Sequence, residues 1–261
     1  MNQPEILKPL KTWSHLAARR RKPSEYEIVS TNLHYTTDNP DAPFELDPNF
    51  GMALWFKQYR NACPLKHADW NAFRDPDEIV YRTYNMMQDG QETYIYGLFD
   101  QLSERGHDSM LERTWAGTLA RLHTPSRYLI HAMQMASAYL TQIAPASTIS
   151  NCAAYQAADS LRWLTHTAYR TKELSKTFGD IGLGTDERAY WEGDAAWQGF
   201  RELAEKALVA FDWGECFVAF SLVLRPAVEE TVLRALGQAG RHNGDTLLGM
   251  SAFPTARLDS V

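Results

Sequence analysis

The chain has 261 residues, of which 44% are hydrophobic, so it is long enough and apolar enough to bury a substantial core. Its 26 basic and 32 acidic residues give a net charge of -6, which argues against a protein whose main task is to hold nucleic acid phosphates. The three cysteines show no paired spacing and predict free thiols in the cytoplasm, and no stretch is apolar enough to cross a membrane.

Residues 1–74 form a predicted amino-terminal arm, because they hold seven prolines and show no sustained helical or strand period. A long irregular segment is unusual inside a compact monomer, and this one would expose many aromatic rings unless another chain covered them. We therefore predict an extended arm that wraps over a partner. The side chains predicted at that interface, buried mainly against partner chains rather than against this chain's own helices, are Trp13, Tyr26, Trp55 and Tyr59.

A helical region is predicted over residues 75–248. It should begin at Asp75-Pro76-Asp77-Glu78, where an N-cap aspartate precedes a proline and two acids, and the first helix should run to about Glu104. Further helices are predicted from the apolar spacing and the positions of proline and glycine. They cover about 109–123, 125–144, 147–178 and the region from 197 onwards, in which Pro226 should kink the helix without ending it.

Long helices with short connections and no alternating strand pattern predict an all-α bundle. Within the helix over 147–178, the residues predicted to face the core are Ala154, Ala157, Leu161, Leu164 and Ala168. The last residues, 249–261, have no apolar period and are predicted to form an irregular tail.

A bundle of long helices can hold a carboxylate-bridged di-iron centre, which requires Glu-x-x-His on two helices and a glutamate from each of two others. The sequence contains one such pair, Glu104 and His107, at a predicted helix end beside Gly106. We interpret it as a solvated surface pair. The sequence therefore predicts no catalytic, cofactor-binding or metal-binding residue in this chain.

Several long stretches are similar to one family of proteins. They include residues 11–16 (KTWSHL), 22–26 (KPSEY), 57–61 (KQYRN), 64–67 (PLKH), 81–85 (YRTYN), 88–92 (QDGQE), 144–152 (APASTISNC), 159–170 and 211–215 (FDWGE). In these stretches, which together span about residues 11–248, the chain resembles the β (small) subunit of the hydroxylase component of toluene-type soluble di-iron monooxygenases.

The resemblance implies a ferritin-like (ribonucleotide reductase-like) long-helix bundle with an extended amino-terminal arm and no functional di-iron site. Catalytic α subunits of this family carry Asp-Glu-x-Arg-His on a core helix, and the similar stretch here is Asp159-Ser160-Leu161-Arg162-Trp163. Ser160 thus stands where a bridging glutamate is expected, and Trp163 stands where a histidine is expected. These two residues are interpreted as vestigial ligand positions.

The resemblance also implies a role as a non-catalytic structural subunit. It would pair with α and γ subunits in a two-fold (αβγ)2 hydroxylase, in which a di-iron centre of the α subunit hydroxylates aromatic hydrocarbons with O2. An effector protein, a Rieske-type ferredoxin and an NADH-dependent reductase would serve that assembly. The alternatives are the same role in an alkene or isoprene monooxygenase, and a stand-alone ferritin-like metal oxidase. Family members continue past residues 245–248 through further helices, whereas this chain turns to GMSAFP at 249–254.

Overall fold

The computed structural model describes residues 21–34 and 49–251, and the regular secondary structure in these two ranges is helical, with no strand. The all-α prediction is confirmed for this part of the chain. No helix among the described residues is both long enough and apolar enough to cross a membrane.

The described parts of the amino-terminal arm contain two short helices, α1 (Glu25–Ser30) and α2 (Gly51–Phe56). Helix α2 continues into a π-helical turn at Lys57–Asn61. The prediction of an extended conformation is therefore wrong for the residues of these helices. A capping box starts α1: the Glu27 amide donates to Ser24 Oγ at 3.2 Å, and the Ser24 amide donates to Glu27 Oε2 at 3.0 Å. The remaining arm residues, 1–20 and 35–48, lie outside the described residues.

The first long helix, α3, spans Tyr81–Glu104 and so begins six residues later than predicted. Asp75 is buried, and its carboxylate accepts hydrogen bonds from the amides of Asp77 and Ile79, both at 3.0 Å. Glu78 then takes a left-handed backbone conformation with φ of 49°. An α-helix needs right-handed dihedrals at successive residues, so the left-handed Glu78 prevents the turn at Asp75 from continuing as a helix. The helix therefore begins after Val80.

Helices α4 (Arg113–Leu122), α5 (Ser126–Ile143) and α6 (Ser147–Phe178) follow, with a 3-10 turn at His107–Met110 before α4. The extended backbone of Leu111, with ψ of 139°, separates that turn from α4, so the helix predicted from 109 starts later. Helices α5 and α6 pack against each other along most of their length as an antiparallel pair. The predicted bounds of α6 are confirmed.

The carboxyl-terminal half contains α7 (Glu187–Gly193), α8 (Ala195–Ala207), α9 (213–242) and α10 (Thr246–Ser251). Helix α9 passes through Pro226 without ending, as predicted, and has π-helical turns at Val218–Leu224 and Glu229–Ala235. Helix α10 includes the first three residues of the predicted irregular tail, because the Asp245 carboxylate accepts from the Leu248 amide at 3.0 Å and starts a helical turn. Residues 252–261 lie outside the described residues.

The main core is formed where α5, α6, α8 and α9 meet. Its buried side chains include Leu129, Ile130, Met133 and Leu140 of α5, Trp163 of α6, Trp197 of α8, and Phe220, Leu224 and Val228 of α9. A second apolar cluster joins α4 to the carboxyl-terminal end of α6 and to α10, through residues such as Trp115, Leu119, Leu174, Phe178 and Leu248. Through these two clusters, one side of α6 packs against other helices along most of its length.

The side of α6 that faces the core is only partly the predicted one: Leu164 packs against the main core, and Ala154 and Ala157 are half-buried. Leu161 is 51% exposed and Ala168 is also exposed, so the predicted alanine and leucine face points partly outward. In the second half of α6, the buried residues include Ser160, Trp163, Thr167, Arg170, Thr171 and Leu174. The prediction was wrong for Leu161 and Ala168 because the inner face of α6 carries several polar side chains that are hydrogen-bonded. Apolar spacing alone does not detect a buried polar face.

Candidate functional site

Ser160 and Trp163, which the sequence analysis interprets as vestigial ligand positions, lie inside the bundle on α6. Ser160 is 1% exposed; its hydroxyl donates to the Gln156 carbonyl at 2.8 Å and accepts from Arg225 Nη2 at 3.2 Å. Trp163 is 7% exposed, and its indole belongs to the main core. The structure thus places Ser160 and Trp163 in the interior, with a hydroxyl and an indole where the family's α subunits are expected to carry metal ligands.

Arg225 brings a positive charge next to Ser160 in the bundle interior. Its guanidinium lies almost buried in α9, donates to the Gln156 carbonyl at 3.3 Å and also bonds to Glu229 Oε1 at 3.4 Å. A cation centre needs several deprotonated ligands, and among the described residues no group of three or more His, Cys, Asp or Glu side chains is arranged to hold a metal. The side chains around Ser160 therefore do not fit a di-iron centre.

The flanking residues of the Asp-x-x-Arg stretch connect α6 to α3. Asp159 Oδ1 accepts from Tyr84 Oη at 2.6 Å, from Gln88 Nε2 at 3.0 Å and from Arg162 Nη2 at 2.8 Å. Burial and the hydrogen bond to the Asp159 carboxylate raise the pKa of Tyr84 well above its usual range. Tyr84 therefore stays a phenol that donates to Asp159, and this part of the stretch joins two helices.

The Glu104 and His107 pair differs from its prediction. Glu104 is exposed, as expected, but His107 is 4% exposed and points inward. Gly106 between them has a φ of 66°, so the helix ends before His107 and the two side chains do not share a helical face. His107 Nδ1 instead lies 3.1 Å from Asp108 Oδ1. The surface interpretation is thus wrong for His107.

His107 belongs to a buried polar cluster that the sequence analysis missed. Arg170 Nη1 donates to Asp108 Oδ2 at 2.7 Å, and Trp115 Nε1 donates to Asp245 Oδ2 at 3.1 Å. Burial alone would raise the pKa of Asp108, but its hydrogen bonds to His107 and Arg170 lower that pKa to about 2. The cluster joins the 3-10 turn before α4, α4 itself, α6 and the start of α10.

His123, at the carboxyl-terminal end of α4, is buried beside this cluster. Burial lowers the pKa of its imidazole to about 4, and the positive charge of Arg170 acts in the same direction, while Asp245 acts against it. The unfolded chain takes up this proton near its ordinary pKa of 6.5 and the folded chain only near 4. Stability is therefore lost as the pH falls through this window.

We expect the free energy of unfolding to fall by about 2 kcal/mol between pH 7 and pH 5 because of His123 alone. Urea denaturation at the two pH values measures this difference. In a His123→Phe variant the difference should be smaller by that amount, whereas His131→Phe, at an exposed position of α5, should retain it. An unchanged difference in His123→Phe would contradict the assignment.

The arm aromatics that the structure describes pack against this chain. Tyr26 is 3% exposed, and its hydroxyl accepts from the Asp75 amide at 2.9 Å. Trp55 Nε1 donates to Tyr139 Oη of α5 at 2.9 Å, and the rings of Trp55 and Tyr59 lie 5.1 and 5.7 Å from that of Phe211. The prediction of burial mainly against partner chains is wrong for Tyr26, because its own chain already covers it.

Trp55 and Tyr59 are only half-buried by their own chain, so each keeps surface that another chain could cover. Trp13 lies outside the described residues. A partner interface at Trp13, Trp55 and Tyr59 remains a prediction.

The sequence model of the Methane/Phenol/Alkene Hydroxylase family matches residues 55–256, and the chain belongs to this family. It is 61% identical over 244 residues to the hydroxylase component subunit beta of the toluene-4-monooxygenase system of Ectopseudomonas mendocina, an alignment that covers 94% of this chain and 75% of that protein. It is 26% identical over 243 residues to an oxygenase component of phenol 2-monooxygenase from Pseudomonas sp. strain CF600, covering 89% of this chain and 66% of that protein.

Solved structures show the same fold. A chain of toluene 4-monooxygenase with toluene bound superposes with a TM-score of 0.90 at 58% identity, covering 98% of this chain and 84% of that one. A chain of xenon-pressurized phenol hydroxylase from Pseudomonas sp. OX1 superposes with a TM-score of 0.79 at 21% identity, covering 99% and 77%. The ferritin-like bundle predicted from the resemblance is confirmed.

Proposed function

We propose that this chain is the non-catalytic β subunit of the hydroxylase component of an aromatic monooxygenase of the toluene and phenol type. The observation that carries the proposal is the 61% identity over 244 residues to a subunit named beta in such a hydroxylase. In this assignment the chain is a subunit of an NADH-dependent multicomponent oxygenase that acts in the cytoplasm. The di-iron centre and the hydroxylation of the aromatic ring belong to the α subunit.

The interior of the bundle supports a structural role for this chain. Ser160 and Arg225 form a hydrogen-bonded pair, and the Trp163 indole fills the core beside them. Because a guanidinium repels metal cations and an indole fills space that a ligand shell needs, these residues favour packing over metal binding. We assign no catalytic, cofactor-binding or metal-binding residue to the chain.

The outer surface supports a role in an assembly. Large apolar side chains are exposed on the long helices, including Tyr81 at 72% and Met86 at 70% on α3, and Leu161 at 51% on α6. Exposed apolar side chains on this scale are typical of surfaces that another chain covers. We propose that α and γ subunits cover them in a two-fold assembly, with the effector protein, Rieske-type ferredoxin and reductase acting through the α subunit.

Within this proposal, residues 1–74 are assigned to the assembly arm, residues 75–248 to the ferritin-like domain and residues 249–261 to a tail, the first three residues of which belong to α10. Trp13, Trp55 and Tyr59 are placed at the partner interface. The hydrocarbon is selected by the α subunit in this arrangement, so residues of this chain act as scaffold. The same role in an alkene or isoprene monooxygenase is the alternative. The 61% identity to the subunit of a toluene enzyme favours the aromatic assignment.

We expect the purified chain to contain no stoichiometric iron, because Ser160 and Trp163 supply no carboxylate or imidazole and Arg225 places a positive charge beside them. Elemental analysis after expression in iron-supplemented medium, combined with the near-ultraviolet spectrum, tests this. Stoichiometric iron with an oxo-bridged absorption band would contradict the assignment and favour a stand-alone metal oxidase.

Co-expression with α and γ subunits from the same gene cluster tests the assembly. A variant that lacks residues 1–20 keeps every described residue and should lose most of its co-purification with the α subunit, because Trp13 is removed. Leu54→Asp, at a half-exposed position of α2 next to Trp55, should weaken co-purification at least tenfold. The helical circular dichroism of both variants should match that of the unmodified chain. Full co-purification of both variants would exclude the arm as an assembly element.

A further inference from the structure

A partly open cavity of about 40 Å³ lies between helices of the bundle beside the buried polar cluster. Side chains of α3, α6, α9 and α10 and the residue after α4 line it. Much of this lining is apolar, with Phe99, Trp163 and Val232 as examples, but His123 and Arg170 also border it. The cavity thus brings His123 and Arg170 together in a lining that is partly apolar and partly polar.

The two nitrogen-rich side chains have atoms without a protein partner among the described residues. These atoms are both ring nitrogens of His123 and the Nε and Nη2 atoms of Arg170, all of them buried. The two residues are only 7% and 5% exposed. Buried polar groups in folded proteins are almost always hydrogen-bonded, because desolvating a donor or acceptor without replacing its bond is costly. His123 and Arg170 therefore need partners, and the cavity they border is the place for them.

Other polar residues that line the cavity already have partners. Thr167 Oγ1 donates to the Trp163 carbonyl at 3.0 Å, and His166 Nε2 lies 3.0 Å from Glu92 Oε2. The need for hydrogen bonds is thus concentrated at His123 and Arg170. A bound species has to accept from Arg170 and both donate to and accept from His123, since a neutral imidazole has one nitrogen of each kind.

The surrounding charges exclude an anion as the bound species. The charge of Arg170 is already balanced by Asp108 at 2.7 Å, and Asp245 lies 4.0 Å from Arg170 Nη2. An anion placed here would be repelled by both carboxylates. An apolar molecule would leave the nitrogen atoms unpaired. The species that fits is neutral, small, and able both to donate and to accept hydrogen bonds.

We propose that this cavity is a water-binding site, because its volume of about 40 Å³ exceeds the roughly 10 to 15 Å³ that one water molecule needs. The waters accept from Arg170 and bond to both nitrogens of His123.

A crystal structure of the full chain in its assembly, grown with bromide in place of chloride and at a resolution that shows ordered water, tests the proposal. We expect electron density for waters at about 2.7 to 3.2 Å from Arg170 and His123 nitrogens. We expect no anomalous bromide signal there. A bromide peak would identify an anion site, and the absence of density beside both side chains would identify a dry cavity; either result overturns the proposal.

Water-oxygen magnetic relaxation dispersion in solution provides a second test, because it counts long-lived internal waters without a crystal. His123→Phe keeps an aromatic ring and removes both nitrogens, so the count should fall by at least one. His131→Phe, at an exposed position of α5, is the matched control and should leave the count unchanged. Equal counts in the two variants would contradict a water site at His123.

Discussion

Trp163→Ala is expected to lower the free energy of unfolding by about 3 to 5 kcal/mol, the usual cost of removing a large buried aromatic side chain. The indole is 7% exposed and packs in the main core where α5, α6, α8 and α9 meet. Its removal loses the transfer free energy of the ring and leaves a cavity that the long helices cannot collapse to fill. Urea denaturation followed by circular dichroism measures the change.

Leu161→Ala is the matched control for this substitution. Leu161 lies two residues earlier on the same helix but is 51% exposed, so its truncation should cost about 0.5 kcal/mol or less in the isolated chain. Equal effects of the two substitutions would contradict the orientation of α6 found here. Trp163→His, which restores the residue type expected in α subunits, should also destabilise the chain, because a smaller polar ring replaces an indole in an apolar cluster.

Arg170→Met is expected to lower the free energy of unfolding by about 3 to 5 kcal/mol, because it removes one partner of a buried ion pair and leaves the other charge uncompensated. Arg170 is 5% exposed and donates to Asp108 at 2.7 Å, while the buried Asp245 carboxylate lies 4.0 Å away. The methionine keeps most of the side-chain volume, so the loss measured by urea denaturation reports charge and hydrogen bonding.

A double-mutant cycle separates these effects from packing. In an Asp108→Asn background, Arg170→Met should cost clearly less, since a neutral amide replaces the carboxylate that Arg170 compensates. Arg188→Met is the control on the surface: Arg188 pairs with Glu192 at 2.7 Å but is largely exposed, and its loss should leave stability nearly unchanged. Additive costs of Arg170→Met and Asp108→Asn would show that the two side chains do not interact.

Helix existence and the bounds of α6 could be predicted from the sequence because they depend on local signals. Pro145 precedes α6 and Gly179 follows it, and both residue types mark helix ends. Between them, apolar residues recur at helical spacing. The start of α3 could not be predicted from the same signals. The Asp75-Pro76-Asp77-Glu78 pattern fits a helix start. In the structure, however, the Asp75 carboxylate accepts from the amides of Asp77 and Ile79 and closes a turn instead. The Asp75 amide also donates to the Tyr26 hydroxyl, a long-range hydrogen bond that no local pattern predicts.

Helix α1 in the arm could have been predicted from a local signal in the sequence. Ser24 and Glu27 have the spacing of a capping box, and they form one in the structure. The seven prolines of the arm favoured an irregular interpretation and outweighed this pair. The packing of Tyr26, Trp55 and Tyr59 against the chain's own helices is long-range, and no local pattern predicts it.

The resemblance singled out Ser160 and Trp163 as core-helix positions from the sequence alone, and both lie in the interior. The partners of Ser160 were not predictable, because Arg225 is 65 residues away along the chain and its approach depends on how α6 and α9 pack. The cluster of His107, Asp108 and Arg170 was missed for the same reason. Buried charges break the apolar period from which a helical face is inferred, so sequence periodicity assigns them to the surface.

The two π-helical turns of α9 bear on how related chains can differ in length. A turn closed by bonds five residues apart holds one more residue than an α-helical turn, so it absorbs an extra residue while the helix on either side keeps its rotational setting. Loss of one residue within 218–224 or 229–235 would convert a wide turn into an ordinary one and leave Val228 facing the core. The same loss in the middle of α6 would rotate everything beyond it by about 100° and turn Arg170 out of the interior. Single-residue length differences between family members are therefore expected to concentrate at these two turns of α9 and to be absent from α6.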